Sequence, residues 1–478
     1  MNGELKDIYS VHEFRTHGHE LVDKLADLLE RSLAKSISVN NYKEPEERIK
    51  EWKAILDKKD LPLFYNRLIE ESIHLHHPHY IGHQISPPAP LSALSGLAAD
   101  FLNNGMGVYE MGGPSTALER LVIQTIGAEM GFEENADGFL TSGGTLANLT
   151  ALLTARSKIN GENIWSEGYK NNKYAIMVSS QAHYCVDRAA RIMGLGDEGI
   201  IKIPVNNLFQ MNTSLLDQYY TEAKQKGIQV FAVVGSACST STGSYDDLKT
   251  IANFAYEKGV WFHIDGAHGG AAAFSEKYRY LLNGIDHADS VIVDCHKMMM
   301  TPALATAIIY KNGQNSYATF AQHAQYLFDK EEQEWHNLAK RTFECTKFMM
   351  SVKFSTILLM HGSKGIGNFV TKLYDLGQVF AHLIRERSSF ELGHYPESNI
   401  VCYRLKGKNQ SVENVEQLNY RVRQRLLKEG RFYIVQTRLN NQLYLRSTIM
   451  NPFTTREDLN ELLDYLENIA LEKDNYAT

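Results

Sequence analysis

The sequence predicts an α/β protein whose central sheet is mixed and mostly parallel, followed by a smaller α+β domain. Two observations lead to this prediction. Between about residues 115 and 310, short apolar runs alternate with amphipathic helices, and after residue 430 two more apolar runs precede a further helix. A chain of 478 residues can form more than one domain. We therefore expect a helical segment at residues 1–90, a large α/β domain at 91–355 and a small α+β domain at 356–478.

The individual elements follow from local patterns. The stretch HELVDKLADLLERSLAKS repeats its apolar positions every three to four residues, which predicts a helix. Prolines then predict a loop, at Pro78, Pro87, Pro88 and Pro90. Apolar runs rich in β-branched residues predict buried strands: YAIMVSS, VFAVVGS, WFHID, SVIVD and ATAIIY. Near the C-terminus, FYIVQT and QLYLRSTI predict strands, and TREDLNELLDYLENIALEK predicts an amphipathic helix.

Charge and cysteine content indicate which binding partners and which cellular compartment to expect. The net charge of -7 argues against a nucleic acid or a membrane surface, because either would favour a basic face. The first residues, MNGELKDIYSVHEF, contain no apolar signal core, and the cysteines are scattered and odd in number. We therefore expect a cytoplasmic protein with reduced thiols.

Several unusual residues follow predicted strands, where the chemistry of open α/β sheets gathers. Lys297, in SVIVDCHKMMM, precedes three methionines. Apolar surroundings depress the pKa of a lysine because desolvation penalises the ammonium, so Lys297 is a candidate Schiff-base amine. An ordinary surface lysine is the alternative. Asp265, in WFHIDGAHGGAAAF, precedes small residues that would let a flat ligand approach the backbone. A helix N-cap is the alternative there.

A carboxylate such as Asp265 could bind a protonated ring nitrogen, which pyridoxal phosphate needs to act as an electron sink. Gly144 and Thr145 lie where a strand meets a helix, so free backbone N–H groups and the helix dipole would cradle a phosphate. His183 follows another strand and could stack on a planar ring. An ordinary helix cap and a structural histidine are the alternatives. Taken together, these sites predict bound pyridoxal 5'-phosphate.

The chain resembles the group II pyridoxal-phosphate-dependent amino-acid decarboxylases over roughly residues 70–450. The segments that carry the resemblance are QAHYCVDRAARIMG, HIDGAHGGAAAFSEKYRYLLNGIDHADSV and HKMM. It implies the aspartate-aminotransferase fold (fold type I), pyridoxal 5'-phosphate as cofactor, and a homodimer with active sites at the subunit interface. The implied reaction converts an L-amino acid into the corresponding amine and carbon dioxide.

Residue by residue, the resemblance implies that Lys297 holds the cofactor and that Asp265 pairs with its pyridine nitrogen. His183 would stack on one ring face, and Ala267 would lie under the other. These roles place Lys297, His183 and Asp265 among the catalytic residues.

The remaining cofactor contacts are implied in the same way. Gly144, Thr145 and His296 would contact the phosphate. Thr240, in GSACSTSTGSYDD, would lie near the cofactor, with Ser239 as the adjacent alternative.

Two further matches bear on the substrate. Arg446, in QLYLRST, matches an arginine that binds the substrate carboxylate in the family, and its apolar neighbours disfavour a surface position. Tyr326, in HAQYLF, matches a catalytic tyrosine on a mobile loop that returns a proton after carbon dioxide leaves. Relatives with phenylalanine there form aldehydes, so Tyr326 favours simple decarboxylation.

The chain also departs from the family pattern. Asp294 and Cys295 stand where the family has asparagine and proline before the His-Lys pair. An aspartate there would repel a phosphate unless it were protonated or turned away. Gly266 replaces an alanine, and His268 replaces a tyrosine or tryptophan.

The substrate pocket of the family corresponds to IGHQIS, where His83 and Gln84 suit a polar or acidic side chain better than an aromatic one. We therefore favour a glutamate, aspartate or cysteine sulfinate type of substrate, with an aromatic or diamino acid as the alternative. The histidines from His74 to His83 look like a metal cluster. The intervening prolines and the missing carboxylates argue against zinc, so no metal is expected.

Two other classes of protein remain open from the sequence. An aminotransferase or carbon–sulfur lyase would use the same lysine and aspartate, although Tyr326 argues against it. A non-catalytic binding protein could retain the fold, although the complete set of cofactor residues argues against that.

Overall fold

The computed structural model describes residues 3–159, 163–317, 319–320, 334–406 and 412–472. The chain forms two compact units. The first unit contains Met1–His83, Val379–Tyr395 and Val401–Thr478, and the second contains Gln84–Gln378 and Pro396–Ile400. The predicted domain boundaries at 90 and 355 remain a prediction, since compactness groups the N-terminal and C-terminal segments into one unit. The reason lies in long-range pairing within that unit, where a parallel bridge joins Tyr80 to Tyr433.

Fourteen α-helices occur in the described part of the chain. In chain order they are α1 (Gly3–Ile8), α2 (Val11–Leu33), α3 (Pro45–Lys58), α4 (Leu61–Glu71), α5 (Pro90–Leu102), α6 (Tyr109–Glu129), α7 (Gly144–Ser157), α8 (Ile164–Glu167), α9 (Tyr184–Ile192), α10 (Leu216–Gln225), α11 (Leu248–Lys258), α12 (Met350–Arg385), α13 (Val412–Glu429) and α14 (Arg456–Leu471). The predicted first and last helices correspond to α2 and α14. Gly112 kinks α6 and Gly362 kinks α12.

The second unit is built on a seven-stranded sheet. Its strands are β1 (Asp137–Thr141), β2 (Lys173–Ser179), β3 (Ile200–Ile203), β4 (Ile228–Ser236), β5 (Trp261–Asp265), β6 (Ser290–Asp294) and β7 (Thr306–Tyr310). Their order is β1-β7-β6-β5-β4-β2-β3. The five strands from β3 to β6 in this order pair in parallel, whereas β7 is antiparallel to both β6 and β1. The mixed, mostly parallel sheet confirms the predicted fold class.

The first unit contains a four-stranded sheet of order β10-β11-β9-β8. Its strands are β8 (Phe390–Leu392), β9 (Ile400–Leu405), β10 (Val435–Leu439) and β11 (Gln442–Thr448). β8 pairs with β9 and β10 pairs with β11, both antiparallel. Helix α13 packs on β11 and on α14. This is the predicted small α+β architecture, although its strands β8 and β9 were not predicted, nor was β3 of the large sheet.

Strands β1, β5, β6 and β7 of the large sheet are buried along their whole length. Continuous apolar strands are expected where helices cover both faces of a sheet. Within the described ranges, no helix has the length and the apolar character that a membrane crossing requires.

Candidate active site

The carboxyl ends of β1, β2, β4, β5 and β6 lie at the same edge of the large sheet, because β1 and β6 are both antiparallel to β7. A cavity of about 300 Å³ opens at this edge, and we call it the carboxyl-edge cavity. Its lining includes every residue predicted to bind the cofactor, namely Gly144, Thr145, His183, Thr240, Asp265, Ala267, His296 and Lys297. The fold thus brings these residues together from five separate loops.

Lys297 lies beside a carboxylate three residues earlier in the chain. Its Nζ is 2.9 Å from Oδ2 of Asp294. Burial alone would lower the pKa of Lys297, but the charge and hydrogen bond of Asp294 and the charge of Asp265 outweigh it and raise that pKa. The expectation of a depressed lysine pKa is therefore wrong for this arrangement. The sequence shows the methionines next to Lys297, but it does not show how close the Lys297 amine lies to Asp294 and Asp265.

Asp294 is ionised and directed away from solvent. The hydroxyl of Thr306 donates to its Oδ1 over 2.5 Å, and Nε2 of His296 lies 3.6 Å from its Oδ2. Burial would raise its pKa, but the charge of Lys297, the electrostatic effect of His296 and the hydrogen bonds from Thr306 and Lys297 lower it. A Cβ built on Gly144 would lie 3.2 Å from Oδ1, so the carboxylate also borders the predicted phosphate loop. Asp294 is thus held by Lys297 and Thr306 rather than neutralised by a proton.

Asp265 ends β5 and is 8% exposed. The backbone N–H of Ala267 donates to its Oδ1 over 3.1 Å, and Nδ2 of Asn148 donates to its Oδ2 over 3.2 Å. Burial raises the pKa of Asp265, and the electrostatic effects of Lys297 and, to a smaller extent, His183 oppose that rise. The carbonyl oxygen of Ala267 accepts the N–H of Asp294 over 3.0 Å, so one tight turn orients both carboxylates.

The structure explains the departure from the family pattern at Gly266 and shows the contacts of the one at His268. A Cβ on Gly266 would lie 2.8 Å from the carbonyl oxygen of Ile292, so this turn leaves no room for alanine. His268 is buried, and its Nε2 lies 2.8 Å from Oδ1 of Asn399. His268 therefore links the cavity wall to the segment around Asn399 within the same unit.

His183 is the N-cap residue of α9, where its Nδ1 accepts the N–H of Cys185 over 3.4 Å. Its ring lies against Tyr184, with centroids 4.3 Å apart. Burial is the largest effect on its pKa and lowers it, and the charge of Lys297 adds to this, whereas Asp265 opposes it. A neutral ring with Nδ1 as acceptor carries its proton on Nε2.

The loop from Ser142 to Thr145 joins β1 to α7. Gly143 has φ of 132°, a left-handed conformation that favours glycine, and α7 begins immediately after it. The free N–H groups of this helix start and its dipole attract an anion to the cavity. Across the cavity, Ser239 shares a 2.5 Å hydrogen bond with Thr242, and both Ser239 and Thr240 line the wall. The structure thus leaves both residues as candidates beside a cofactor.

Two lining residues that carry hydrogen bonds were missed from the sequence. Asn148 bonds to Asp265 and, over 3.3 Å, to Sγ of Cys185. Asn148 follows Gly144 by one helical turn, and a polar residue at that spacing after a glycine-rich loop was the available signal. Cys185 lies two residues after His183, and nothing in its local sequence marks it.

The predicted substrate residues fall in different parts of the chain. Arg446, on β11, and His83 belong to the first unit, whereas Gln84 begins the second. Arg446 is 7% exposed. Partial desolvation and the positive charges of Arg446 and Arg423 lower the pKa of His83. Tyr326 lies outside the described residues.

The ring nitrogens of the histidine-rich loop form hydrogen bonds. His74 contacts the carbonyl oxygens of Ser38 and Ile69 over 2.8 and 3.0 Å. His79 contacts Asp458 over 3.1 Å and stacks on Phe432. These histidines thus connect separate segments of the first unit.

A lysine, a buried carboxylate at a strand end and an anion-attracting helix start define the class of this protein as a pyridoxal-phosphate enzyme of fold type I. The chain belongs to the family described by the pyridoxal-dependent decarboxylase conserved domain, which matches residues 64–406. It is therefore an amino-acid decarboxylase that depends on pyridoxal 5'-phosphate. This membership decides against the aminotransferase, carbon–sulfur lyase and non-catalytic alternatives.

Relatives and solved structures agree with this assignment. The chain is 31% identical to an aspartate 1-decarboxylase from Aliivibrio fischeri, with 84% of this chain and 81% of that protein covered. It is 26% identical to an aromatic-L-amino-acid decarboxylase from Bacillus atrophaeus, with 97% and 96% covered. The glutamate decarboxylase domain of diaminobutyrate-pyruvate transaminase and L-2,4-diaminobutyrate decarboxylase from Vibrio parahaemolyticus superposes with a TM-score of 0.85 at 25% identity, covering 97% of both chains. Because the named substrates differ, the relatives leave the substrate of this chain open.

The groups in the carboxyl-edge cavity fit the cofactor. An amine, a buried carboxylate, a neutral histidine ring and a glycine loop without side chains match its aldehyde, ring nitrogen, ring face and phosphate. When bound, pyridoxal phosphate withdraws electrons from the α-carbon of the substrate, which allows the carboxylate to leave as carbon dioxide. Asp294 is the one group that matches less well, since its negative charge borders the phosphate loop.

Proposed function

We propose that the chain decarboxylates an L-amino acid with an acidic side chain, of the aspartate, glutamate or cysteine sulfinate type. The observation that carries this proposal is the positive charge around His83, where both Arg446 and Arg423 act on the imidazole. Arg423 also acts on the hydroxyl of Tyr433, so its charge is directed toward this group of rings. Two guanidinium groups favour a substrate with two carboxylates over an aromatic or a diamino acid.

The local backbone supports this group of residues. A Cβ on Gly82 would lie 2.3 Å from the ring of Tyr433, so only glycine permits the ring to pack there. The ring of His83 lies 5.9 Å from that of Tyr433. With its pKa lowered, His83 is neutral at pH 7 and can donate one hydrogen bond to a carboxylate without adding a third charge.

Each predicted site residue has a proposed role. Lys297 would hold the cofactor and later release the product amine. Asp265 would keep the ring nitrogen protonated, and His183 and Ala267 would flank the ring. Arg446 would bind the substrate carboxylate. Tyr326 would return a proton to the α-carbon, as the family resemblance implies.

The phosphate would be held at the start of α7. Gly144 and Thr145 would supply backbone N–H groups and a hydroxyl, and His296 would contribute its ring. Thr240, or its neighbour Ser239, would lie near the cofactor. His83 and Gln84 would face the substrate side chain.

The decisive experiment measures carbon dioxide release from all L-amino acids together with cysteine sulfinate, L-DOPA and diaminobutyrate. We expect an acidic substrate to have the highest kcat/KM. Arg423→Gln should lower kcat/KM for acidic substrates about tenfold and leave the others almost unchanged, since a hydrogen bond to a charged group contributes on that scale. Arg446→Gln should lower it for every substrate.

Arg425→Gln is the matched control, because Arg425 lies on the same helix and pairs with Glu429 and Glu472. It should leave the order of substrates unchanged. Highest activity on L-DOPA or tryptophan would contradict the proposal, as would equal losses in the Arg423 and Arg425 variants. The relative from Bacillus atrophaeus makes an aromatic substrate the second candidate.

A homodimer and a cytoplasmic location complete the proposal. Helix α5 exposes apolar side chains along one side, at Leu91, Leu94, Leu97 and Phe101. Such a row favours burial against a second copy of the chain. The described cysteines are free thiols, as a reducing compartment would keep them. Sedimentation should show a dimer that Leu94→Asp weakens, and a fully active monomer would contradict this part of the proposal.

A further inference from the structure

A chain of buried hydrogen bonds extends from Asp265 into the large sheet. Nδ2 of Asn148 lies 3.2 Å from Oδ2 of Asp265, and Oδ1 of Asn148 lies 2.8 Å from Nε2 of His263. Nδ1 of His263 lies 2.9 Å from Oγ of Ser290, which also accepts the indole N–H of Trp261 over 2.9 Å. The side chains in the middle of this chain are almost fully buried, with His263 and Ser290 at 0% and Asn148 at 1% exposure.

With Asp265 ionised, the carboxylate end determines the direction of each hydrogen bond that leads to it. The indole N–H of Trp261 can only donate, and an ionised Asp265 can only accept. Asn148 must therefore turn its NH₂ toward Asp265 and its oxygen toward His263. Burial lowers the pKa of His263 to about 4, so the ring is neutral at pH 7. If Nε2 carries the single ring proton and donates to Asn148, Nδ1 must accept, and of its two neighbours on Ser290, the hydroxyl at 2.9 Å and the carbonyl oxygen at 3.2 Å, only the hydroxyl can donate to it.

We propose that Asn148, His263 and Ser290 form a one-way hydrogen-bond chain that holds Asp265 ionised and oriented for the ring nitrogen of the cofactor. Every donor in this chain points toward the carboxylate, and aligned hydrogen bonds polarise one another in the same direction. Hydrogen bonds to the charged form favour that form, which opposes the effect of burying a carboxylate. Asn148 is thus a positioning residue, and His263 and Ser290 act through it.

The position of Asn148 on α7 adds a second consequence. The same helix begins at Gly144, in the loop proposed to bind the phosphate. Helix α7 would therefore position the phosphate loop through its first residue, Gly144. Four residues later, through Asn148, it would orient the carboxylate of Asp265 toward the ring nitrogen. The other groups that face Asp265 are Lys297, His183, Asp294 and the N–H of Ala267.

The test compares three variants by the affinity of the full-length protein for pyridoxal phosphate and by the pH dependence of the bound cofactor's absorbance. Asn148→Leu removes the bond to Asp265, and we expect a loss of affinity of about tenfold. His263→Phe leaves the Asn148 oxygen without its donor and should have a smaller effect. Ser290→Ala should have the smallest. In each variant the loss of ring protonation should occur at lower pH than in the parent protein.

Urea unfolding of the same variants separates positioning from simple structural damage. His263 lies at the centre of β5, so His263→Phe should destabilise the fold more than Asn148→Leu. A positioning role predicts that cofactor affinity and unfolding follow different orders. If both follow the same order, the hydrogen-bond chain acts only on stability and the proposal fails. Ser290→Ala is conservative enough to fold and supplies a usable comparison in any case.

The inference rests on the proposed role of Asp265, and Asp265→Ala distinguishes the two. If Asp265→Ala leaves affinity and absorbance unchanged, the proposed role of Asp265 is wrong. If Asp265→Ala lowers affinity but Asn148→Leu leaves both affinity and the pH profile unchanged, the role of Asp265 stands and the hydrogen-bond chain is overturned.

Discussion

The large sheet has one cavity at the carboxyl ends of its strands and another at their amino ends. The two cavities differ in how deeply their charged side chains are buried. The carboxyl-edge cavity has a volume of about 300 Å³, whereas a second cavity of about 780 Å³ lies at the amino ends of β4 and β5, and we call it the amino-edge cavity. Three of its charged or titratable residues, Lys158, His287 and Lys311, are exposed, and Asp289 is half-buried. In the smaller cavity, Asp265 and Asp294 are buried. Reactive chemistry here follows the convergence of buried charges and not the volume of the cavity.

The difference has a cause in the geometry of the strands. At the carboxyl edge, the loops that follow five strands lie close together. Residues from distant segments of the chain therefore meet there. At the amino edge Asp289 accepts the N–H of Phe262 over 2.8 Å and so satisfies the backbone at the start of a strand. A half-buried carboxylate that accepts a backbone N–H stabilises the fold without creating a reactive centre.

The largest expected effect is the difference between replacing Lys297 in the carboxyl-edge cavity and replacing Lys311 in the amino-edge cavity. Lys297→Ala should abolish the absorbance band near 420 nm that a Schiff base with the cofactor produces, and should lower kcat on the order of 10⁴-fold. Lys311→Ala, at the amino edge, should change neither. Lys311 bonds to the carbonyl oxygen of Asp286 and lines the amino-edge cavity. An intact absorbance band in Lys297→Ala would remove the basis for placing the cofactor on this lysine.

The next effect concerns the carboxylate beside Lys297. Asp294 raises the pKa of Lys297, so Asp294→Asn should lower it and increase the fraction of free amine at pH 7. Each unit by which the pKa falls increases that fraction about tenfold. We therefore expect faster capture of added pyridoxal phosphate, with the pH profile of the capture rate shifted to lower pH, by stopped-flow absorbance. Asp289→Asn is the matched control, and slower capture in the Asp294 variant would contradict the prediction.

A third prediction concerns His263, which lies on β5 between the two cavities. Its pKa is lowered from 6.5 to about 4, so the unfolded chain binds more protons than the folded protein between these values. The resulting stability is fully present above pH 6.5 and is lost as the pH falls toward 4, by on the order of 3 kcal/mol. Urea unfolding at several pH values should show this slope, and His263→Gln should reduce it. An unchanged slope in the variant would assign the pH dependence to other groups.

The smallest effect is expected at the wall of the amino-edge cavity. Tyr256 is 90% exposed. Tyr256→Ala should change the free energy of unfolding by less than about 0.5 kcal/mol, as is usual for exposed positions. Decarboxylation should stay within about twofold of the parent rate. A large loss of activity would show that the amino-edge cavity contributes to catalysis.

Much of the fold and the outline of the site could be predicted because they depend on local patterns. The runs WFHID and SVIVD coincide with β5 and β6, since apolar strands bounded by glycine and polar residues are marked by their own sequence. Residues at the ends of such strands then meet at one edge by topology alone. This is why the sequence alone predicts that Asp265 and Lys297 lie in one cavity.

The tertiary structure decided what depends on distances between remote side chains. Three methionines beside Lys297 suggested a lowered pKa, whereas Asp294, through its charge and hydrogen bond, and Asp265 raise the pKa of Lys297. Coulomb energies depend on separations in space, and no local pattern contains them. The bond from Asn148 to Asp265 joins residues 117 positions apart and was invisible for the same reason.

The sequence by itself thus determined which residues end the strands, and through them the class of cofactor. Only the folded structure decided how those residues are charged, because burial and neighbouring charges act on every ionisable group at once. The substrate depends on this second kind of information, which here is the positive charge that Arg423 and Arg446 impose on His83.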